Sequence, residues 1–272
     1  MSRSDHPRVL FVTPHAFNHV TGGGITYSSL FRSWPAQCLA TAHNDPVPTS
    51  DDVCSNYFRL GPAEIDFVWP LSRLRRPTGE SAEALGAPVT ASGGAYGLAK
   101  RFAVGILGDP PPRRARLTDD LMHWISGYEP QLLYTILGDN AMMDLVEEIR
   151  RRFQLPLVVH IMDDWPAASY RSGVLGSLMR RGMARRLRCL FADATQRFVI
   201  SPAMADAYAA RYGMAFEVFQ NTIDVAARSA LARPAAPVGE PATILYVGSI
   251  FPNAQLDSLV DCAQAVIRLA ES

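Results

Sequence analysis

Short apolar runs that alternate with helical segments are the feature of this sequence that most constrains its fold. The first run, at residues 9–13 (VLFVT), lies between two prolines, and similar runs follow at 132–136 (LLYTI) and 157–162 (LVVHIM). Continuous apolar runs of this length are typical of strands that a parallel sheet buries on both faces. Because helical patterns separate the runs, we predict a doubly wound α/β fold with a parallel sheet.

The remaining elements are predicted from the same periodicities and from the positions of proline and glycine. Further strands are expected at 37–41, 57–60, 197–200, 216–219 and 243–247, and helices at 24–34, 98–107, 114–128, 140–153, 170–191, 202–212 and 253–270. Residues 42–95 are rich in Pro, Gly, Ser and Asp, which predicts long loops there.

The sequence also predicts two lobes of unequal length. Residues 1–225 would form a Rossmann-like first lobe, and the Ala- and Pro-rich segment 226–241 (AARSALARPAAPVGEP) is predicted to be a linker. Residues 242–272 resume the pattern with one strand and one helix, the first βα unit of a second lobe. Because such a unit cannot bury its own apolar faces, it either packs on the first lobe or belongs to an incomplete second lobe.

The composition argues against several classes of protein. The formal net charge is +0 at pH 7, so the bulk charge does not favour a nucleic-acid partner. The 4 cysteines form no CxxC pair, which is typical of reduced thiols in the cytoplasm rather than of a disulfide framework or a zinc site. No apolar run approaches the roughly 18 residues of a spanning helix. We therefore expect a soluble, cytoplasmic protein.

A glycine-rich turn is the first candidate binding element. Gly22, Gly23 and Gly24 follow the first predicted strand and open the first predicted helix. Free N–H groups and the helix dipole at such a position favour an anionic group, and glycine allows it to approach closely. Neither the dinucleotide fingerprint, whose third glycine position holds Tyr27, nor a P-loop is present. The structural alternative is a tight turn that requires positive φ.

His160, Asp163 and Asp164 are the candidate catalytic residues. They lie at the carboxyl end of the predicted strand 157–162, where open parallel sheets bind ligands. Adjacent carboxylates could orient sugar hydroxyls or act as a base. Three alternatives stay open: His160 as a satisfied core histidine, the aspartates as caps of the next segment, or a metal site formed by the three side chains.

An arginine-rich segment is a candidate membrane contact. Residues 171–188 (RSGVLGSLMRRGMARRLR) contain no acidic residue, and Leu and Met alternate with the arginines. A basic helix of this kind could lie against anionic lipid, which predicts a peripheral contact with the inner face of the membrane. The alternative is an outer helix of the fold with a solvated basic face.

Taken in order, these segments resemble the family 4 retaining glycosyltransferases. The matching segments are VLFVTPHAFNHVTGGGITYSSLF, LPLVVHIMDDW, FVISPAMADAYAARYG with EVFQNTID, and ILYVGSI at the start of the predicted second lobe. The resemblance implies the two-lobed GT-B fold, with a nucleotide-sugar donor held mostly by the second lobe and a sugar or lipid-linked acceptor held mainly by the first. It implies no metal and no other cofactor.

The resemblance also implies roles for individual residues. It places Gly22, Gly23, Gly24 and Gly248 near the donor diphosphate, and Asn221 and Asp224 at the cleft or hinge between the lobes. The family pattern is not matched throughout. The strand ends in Met162-Asp163 rather than His-Asp, Thr222 stands where the family has glycine, and Ser249 rather than arginine follows Gly248. The family's Glu-x7-Glu segment lies beyond Ser272.

The reaction implied is glycosyl transfer from a nucleotide sugar to an acceptor hydroxyl. The glycine turn would stabilise charge on the departing diphosphate, while Asp163 and Asp164 orient the acceptor or the sugar. We expect little or no transferase activity from these 272 residues alone, since most of the donor-side lobe lies beyond them. Two other functions stay open: a non-catalytic module that binds an acceptor or a partner subunit, and a two-lobed nucleotide-sugar epimerase.

Overall fold

The computed structural model describes residues 6–67, 95–110, 113–138, 140–223, 225–230, 244–248, 250 and 255–271. The chain divides into two compact units, Met1–Ile223 and Asp224–Ser272. The first unit contains the sheet described below and most of the predicted site residues.

The elements are numbered in chain order over the described residues. The strands are β1 (Val9–Thr13), β2 (Leu39–His43), β3 (Asn56–Arg59), β4 (Ile65–Phe67), β5 (Arg113–Ala115), β6 (Leu132–Ile136), β7 (Leu157–Ile161), β8 (Gln196–Val199) and β9 (Glu217–Val218). The helices are α1 (Gly22–Phe31), α2 (Ala95–Leu107), α3 (Asp119–Tyr128), α4 (Asn140–Phe153), α5 (Trp165–Ala168), α6 (Gly176–Asp193), α7 (Pro202–Tyr212), α8 (Val225–Ser229) and α9 (Leu256–Glu271).

The first unit is a Rossmann-like α/β fold, which confirms the predicted fold class at this level. A 7-stranded sheet has the order β3-β2-β1-β6-β7-β8-β9, and each neighbouring pair is parallel. The direction of the strand order reverses between β1 and β6. Strands β2 and β3 lie on one side of β1, and β6 to β9 lie on the other side. The carboxyl ends of β1 and β6 therefore border the crevice in which open α/β sheets bind ligands.

Alternate residues of the central strands supply two cores, one on each face of the sheet. In β1, Val9 and Phe11 pack with Phe31 of α1, whereas Leu10 and Val12 pack with the buried side chains of α3, α4, α6 and α7. Because both faces are covered, β1, β2 and β7 are buried at every position. This double burial explains why β1 and β7 have nearly continuous apolar sequences.

Two predicted helices are longer than the helices that form. The prediction at 114–128 is wrong over its first residues, because Arg113–Ala115 pairs antiparallel with β4 and α3 begins only at Asp119. Thr118 fixes that start, since its hydroxyl accepts a hydrogen bond from Leu121 N at 3.3 Å. The helix predicted at 170–191 begins only at Gly176, because the backbone before it is not helical: Tyr170 and Gly173 have φ values of 54° and 91°.

The second unit is described by itself. Its helix α9 confirms the helix predicted at 253–270, but residues 244–247 form no strand, contrary to the prediction at 243–247. A strand forms only where a neighbouring strand satisfies its backbone groups, and the described residues provide none here. The predicted linker begins with helix α8, and its residues 231–241 lie outside the described residues.

Candidate functional site

The loops that follow β1 and β6 meet at the reversal of strand order. Gly138, after β6, lies so close to the β1 loop that a Cβ atom on it would stand 3.1 Å from Cγ of Pro14. The candidate site is built on this edge of the sheet, around the loop that links β1 to α1.

The glycine turn is the first turn of α1. Thr21 caps the helix in an extended conformation, and its hydroxyl accepts a hydrogen bond from Gly24 N at 3.2 Å. None of the three glycines has a positive φ, so the tight-turn alternative is wrong. Among the described residues, no hydrogen bond engages the amides of Gly22 and Gly23. Two amide donors at a helix start are thus available to an anion.

The three glycines differ in why a larger residue is disfavoured. A Cβ on Gly23 would stand 2.6 Å from Cδ2 of His15, and a Cβ on Gly24 would overlap the side chain of Asn18. A Cβ on Gly22 would meet no atom within 4 Å. Packing therefore explains the glycine at positions 23 and 24, whereas at position 22 the protein itself leaves the space open.

Asn18 organises the loop that carries these glycines. Its Oδ1 accepts hydrogen bonds from the backbone amides of Val20 at 2.9 Å and Thr21 at 2.8 Å. Its Nδ2 donates to the carbonyl of Ala16 at 3.0 Å and to Oδ2 of Asp45 at 3.2 Å. Because Asn18 is only 1% exposed, these hydrogen bonds are shielded from water and hold the loop in one conformation.

A buried carboxylate after β2 orients a histidine of the loop after β1. Asp45 is 4% exposed, and its Oδ2 lies 3.4 Å from Nδ1 of His15. The His15 side chain is 44% exposed and packs over Gly23. With Nδ1 turned toward the carboxylate, Nε2 can accept a proton or, in the imidazolium form, donate to an anion. The sequence analysis did not identify this pair; its only signal was a histidine and an aspartate placed just after adjacent strands.

Asp163 lies on the same side of the sheet as this loop. Burial raises the pKa of Tyr27 in α1, and the negative charges of Asp163 and Asp45 raise this pKa further. The Tyr27 hydroxyl itself lies 3.4 Å from Oγ1 of Thr13, at the end of β1. The carboxylate after β7 is therefore within electrostatic reach of the first helix.

The two adjacent aspartates have different partners. Asp163 is exposed, and its Oδ1 accepts a hydrogen bond from Trp165 N at 3.3 Å. Asp164 instead pairs with Arg211 of α7 at 2.6 and 2.8 Å and accepts from the Tyr208 hydroxyl at 3.0 Å. Hydrogen bonding to the guanidinium holds the pKa of the Asp164 carboxyl below its usual range. Asp163 is thus the more available of the two for a ligand.

His160 is held on both sides of its ring. Nδ1 lies 2.7 Å from the Tyr134 hydroxyl of β6, and Nε2 lies 3.2 Å from the Phe219 carbonyl after β9. With Nε2 donating to the carbonyl and Nδ1 accepting from Tyr134, the neutral ring satisfies both partners. Burial lowers the pKa of His160 to about 4. The geometry is that of the core-histidine alternative, while its predicted catalytic role stays a prediction.

The remaining predicted site residues are Asn221, Asp224 and Gly248. Asn221 is exposed in the loop after β9, and Asp224 lies outside the described residues. Gly248 belongs to the second unit, and a Cβ on it would stand 2.9 Å from the Tyr246 hydroxyl. Their proposed places at the donor or at a hinge stay predictions.

Across the part of the chain that the structure describes, no three His, Cys, Asp or Glu side chains are grouped so that they could hold a metal ion. Within those same residues, no helix has the length and apolarity needed to cross a membrane.

Comparison with known proteins finds no significant match among protein-family models, curated proteins or solved structures. The site is therefore interpreted from its geometry: two open amides and an oriented histidine at the crevice of a parallel sheet.

Proposed function

We propose that this chain is the acceptor-side lobe of a GT-B glycosyltransferase that transfers a sugar from a nucleotide sugar to an acceptor hydroxyl. The observation that carries the proposal is the open first turn of α1 at the strand-order reversal, where the amides of Gly22 and Gly23 have no partner among the described residues and the ring of His15 packs over Gly23. These donors suit the negative charge that develops on a departing diphosphate.

In the proposed reaction, the acceptor oxygen bonds to the anomeric carbon as the bond from that carbon to the diphosphate breaks. The diphosphate takes the bonding electrons, and its charge is stabilised by the glycine amides and by His15 when protonated. The hydroxyl proton passes to the diphosphate or to a nearby carboxylate. Asp163 orients the acceptor or the sugar, and the Arg211 ion pair of Asp164 supports the loop that carries both aspartates.

The direct test is binding of nucleotide sugars to the full chain by amide NMR. UDP-glucose and GDP-mannose serve as probes, and the amides of Gly22 and Gly23 should shift on titration. An absence of shifts at both amides with every probe, in a folded protein, would contradict the proposal. Robust transfer of labelled sugar by this chain would identify a transferase and would contradict the expectation that these 272 residues alone are nearly inactive. Isomer formation without acceptor would identify an epimerase.

Gly22→Ala should weaken binding of the nucleotide sugar by about tenfold, because a methyl group would fill the space that the ligand approaches. Gly127→Ala in α3 is the matched control, since a Cβ there also meets no atom within 4 Å. Both variants are measured by the same titration. Equal affinities for the two variants would exclude contact between the ligand and the first turn of α1.

We also propose that this lobe contacts an anionic membrane surface peripherally. Phe102 of α2 is 71% exposed and Val174, just before α6, is 83% exposed. A hydrogen bond of 3.0 Å from Val174 N to the Gly105 carbonyl holds their segments side by side. Arg171, three residues before Val174, is exposed and forms no hydrogen bond or ion pair within the described residues. Exposed apolar side chains with an unpaired arginine beside them suit anionic lipid.

Double substitution of Phe102 and Val174 by serine should reduce binding to phosphatidylglycerol vesicles by at least tenfold, because insertion of the two apolar side chains is lost. Vesicle sedimentation measures this, with phosphatidylcholine vesicles as the uncharged reference. Val20→Ser, at another exposed valine, is the control variant. If the parent protein sediments equally with both lipids, charge does not contribute and the membrane proposal is wrong.

A further inference from the structure

A cleft of about 390 Å³ opens at the carboxyl ends of β2 and β3. It is lined by His43, Asp45, Tyr57 and Arg59 and by the segment 46–49. This cleft adjoins the candidate site through Asp45, whose carboxylate also holds the β1 loop. None of the sequence motifs pointed to it.

His43 presents an unused hydrogen-bond donor to this cleft. The residue is only 3% exposed, and its Nδ1 accepts a hydrogen bond from Asp45 N at 3.2 Å. Because Nδ1 is the acceptor, the proton of the neutral ring is on Nε2. Within the described residues Nε2–H has no hydrogen-bond partner, so it is available to a ligand.

Arg59 places an unpaired positive charge beside that donor. His43 and Arg59 are direct neighbours in the register of β2 and β3. The guanidinium is exposed and makes no hydrogen bond or ion pair in the part of the chain that the structure describes. Burial lowers the pKa of His43 to about 4, with Asp45 opposing and Arg59 assisting the shift, so the ring is a neutral donor at pH 7.

The carboxylate and the phenol hydroxyl that line the cleft are already engaged. The Asp45 carboxylate accepts from Val47 N at 3.1 Å and from Asn18 at 3.2 Å. The Tyr57 hydroxyl donates to the Ser50 carbonyl at 2.6 Å. Of the imidazole, guanidinium, carboxylate and phenol groups in the lining, the two left without partners are therefore donors, one neutral and one cationic. Such a pair selects a ligand that is anionic and rich in acceptor atoms.

We propose that this cleft binds the carboxylate or phosphate group of a small ligand, with Arg59 as the bidentate partner and His43 Nε2–H donating to one oxygen. The aromatic ring of Tyr57 and the prolines of the segment 46–49 would contact the uncharged part of the ligand. The identification of this ligand as the glycosyl acceptor rests on the proposed function. The binding of an anionic ligand to the cleft does not depend on that function.

The test is calorimetric titration of the full chain with D-glucuronate, glucose 6-phosphate and D-glucose. At least one of the two anionic sugars should bind at least tenfold more tightly than glucose, and the comparison between them separates a carboxylate from a phosphate ligand. Arg59→Gln should remove this preference, because a charged hydrogen bond is lost. Arg152→Gln is the control: it removes the same charge from an exposed position in the last turn of α4, at the opposite edge of the sheet.

A second measurement follows His43 directly. The ring resonances of His43 should shift on titration with the anion that binds, and they should not shift in Arg59→Gln at the same concentration. Equal binding of all three sugars, or equal losses in Arg59→Gln and Arg152→Gln, would overturn the inference. Neither measurement involves a nucleotide sugar. A failure of the proposed transferase function can therefore be distinguished from a failure of this inference.

Discussion

Gly24→Ala should lower the free energy of unfolding by about 3 kcal/mol, through overpacking and the loss of buried hydrogen bonds. The new Cβ would occupy the position of the Asn18 side chain, which must then leave the amides of Val20 and Thr21. These amides are donors that the displaced side chain no longer satisfies. Urea unfolding followed by circular dichroism measures the change.

Gly22→Ala is the control for this effect, since it stands two residues earlier in the same turn. Its Cβ meets no atom within 4 Å, and alanine restricts the unfolded chain, so the variant should be as stable as the parent or up to about 1 kcal/mol more stable. A Gly24→Ala protein as stable as Gly22→Ala would mean that Asn18 does not hold the loop as the structure indicates.

The free energy of unfolding should also decrease as the pH falls from about 6.5 to 4, with His160 alone contributing about 3 kcal/mol. Burial lowers the pKa of His160 from 6.5 to about 4 in the folded state. In this range the unfolded chain therefore binds a proton that the folded chain does not. The contribution is fully present above pH 6.5 and is lost as the pH falls toward 4.

Comparison of variants isolates the histidine from the carboxyl groups that titrate in the same range. His160→Gln should lose about 3 kcal/mol less stability than the parent between pH 7 and pH 4, although it is less stable at pH 7. His123→Gln, at an exposed position of α3, should follow the parent. Identical pH profiles for His160→Gln and the parent would show that folding does not lower the pKa of His160. His43, whose pKa burial also lowers to about 4, adds a separate contribution of the same sign.

Asp45 connects the two proposed binding regions. It orients His15 and Asn18 on the β1 side, and its backbone amide fixes the proton of His43 on the β2 side. A ligand that moved the segment 46–49 would therefore disturb the loop that carries the glycine turn. This linkage gives one physical route by which the cleft at the ends of β2 and β3 could affect the glycine turn.

Local sequence patterns were sufficient to predict the central strands and the helices that pack on them. β6, α4 and α7 form at the predicted residues, because their burial depends on a periodicity that the sequence itself carries. The short pair β4 and β5 was missed, since three-residue strands are too short to establish a period and their pairing spans a long sequence separation. The start of α3 was misplaced because the cap at Thr118 was overlooked.

The site was predictable only in part. The glycine turn was found because a strand, a turn and a helix start are neighbours in the sequence. Asp163 and Asp164 were located at the correct strand end, but their different environments depend on Arg211, which lies 47 residues beyond Asp164. The partners of His160 come from β6 and from the loop after β9, so its buried state could only be offered as an alternative.

The sequence by itself determined the parallel sheet, the order of its main elements and the placement of the glycine turn, since each is specified by residues adjacent along the chain. Only the tertiary structure decided that Asp45 orients His15, that Asn18 excludes a side chain at position 24, and that Arg59 lies beside His43. The relations of Asp45 with His15 and of Arg59 with His43 arise from strand order and register, and they join residues of different strands and loops. The contact between Asn18 and position 24 arises from the conformation of the β1 loop, and no local period predicts any of the three.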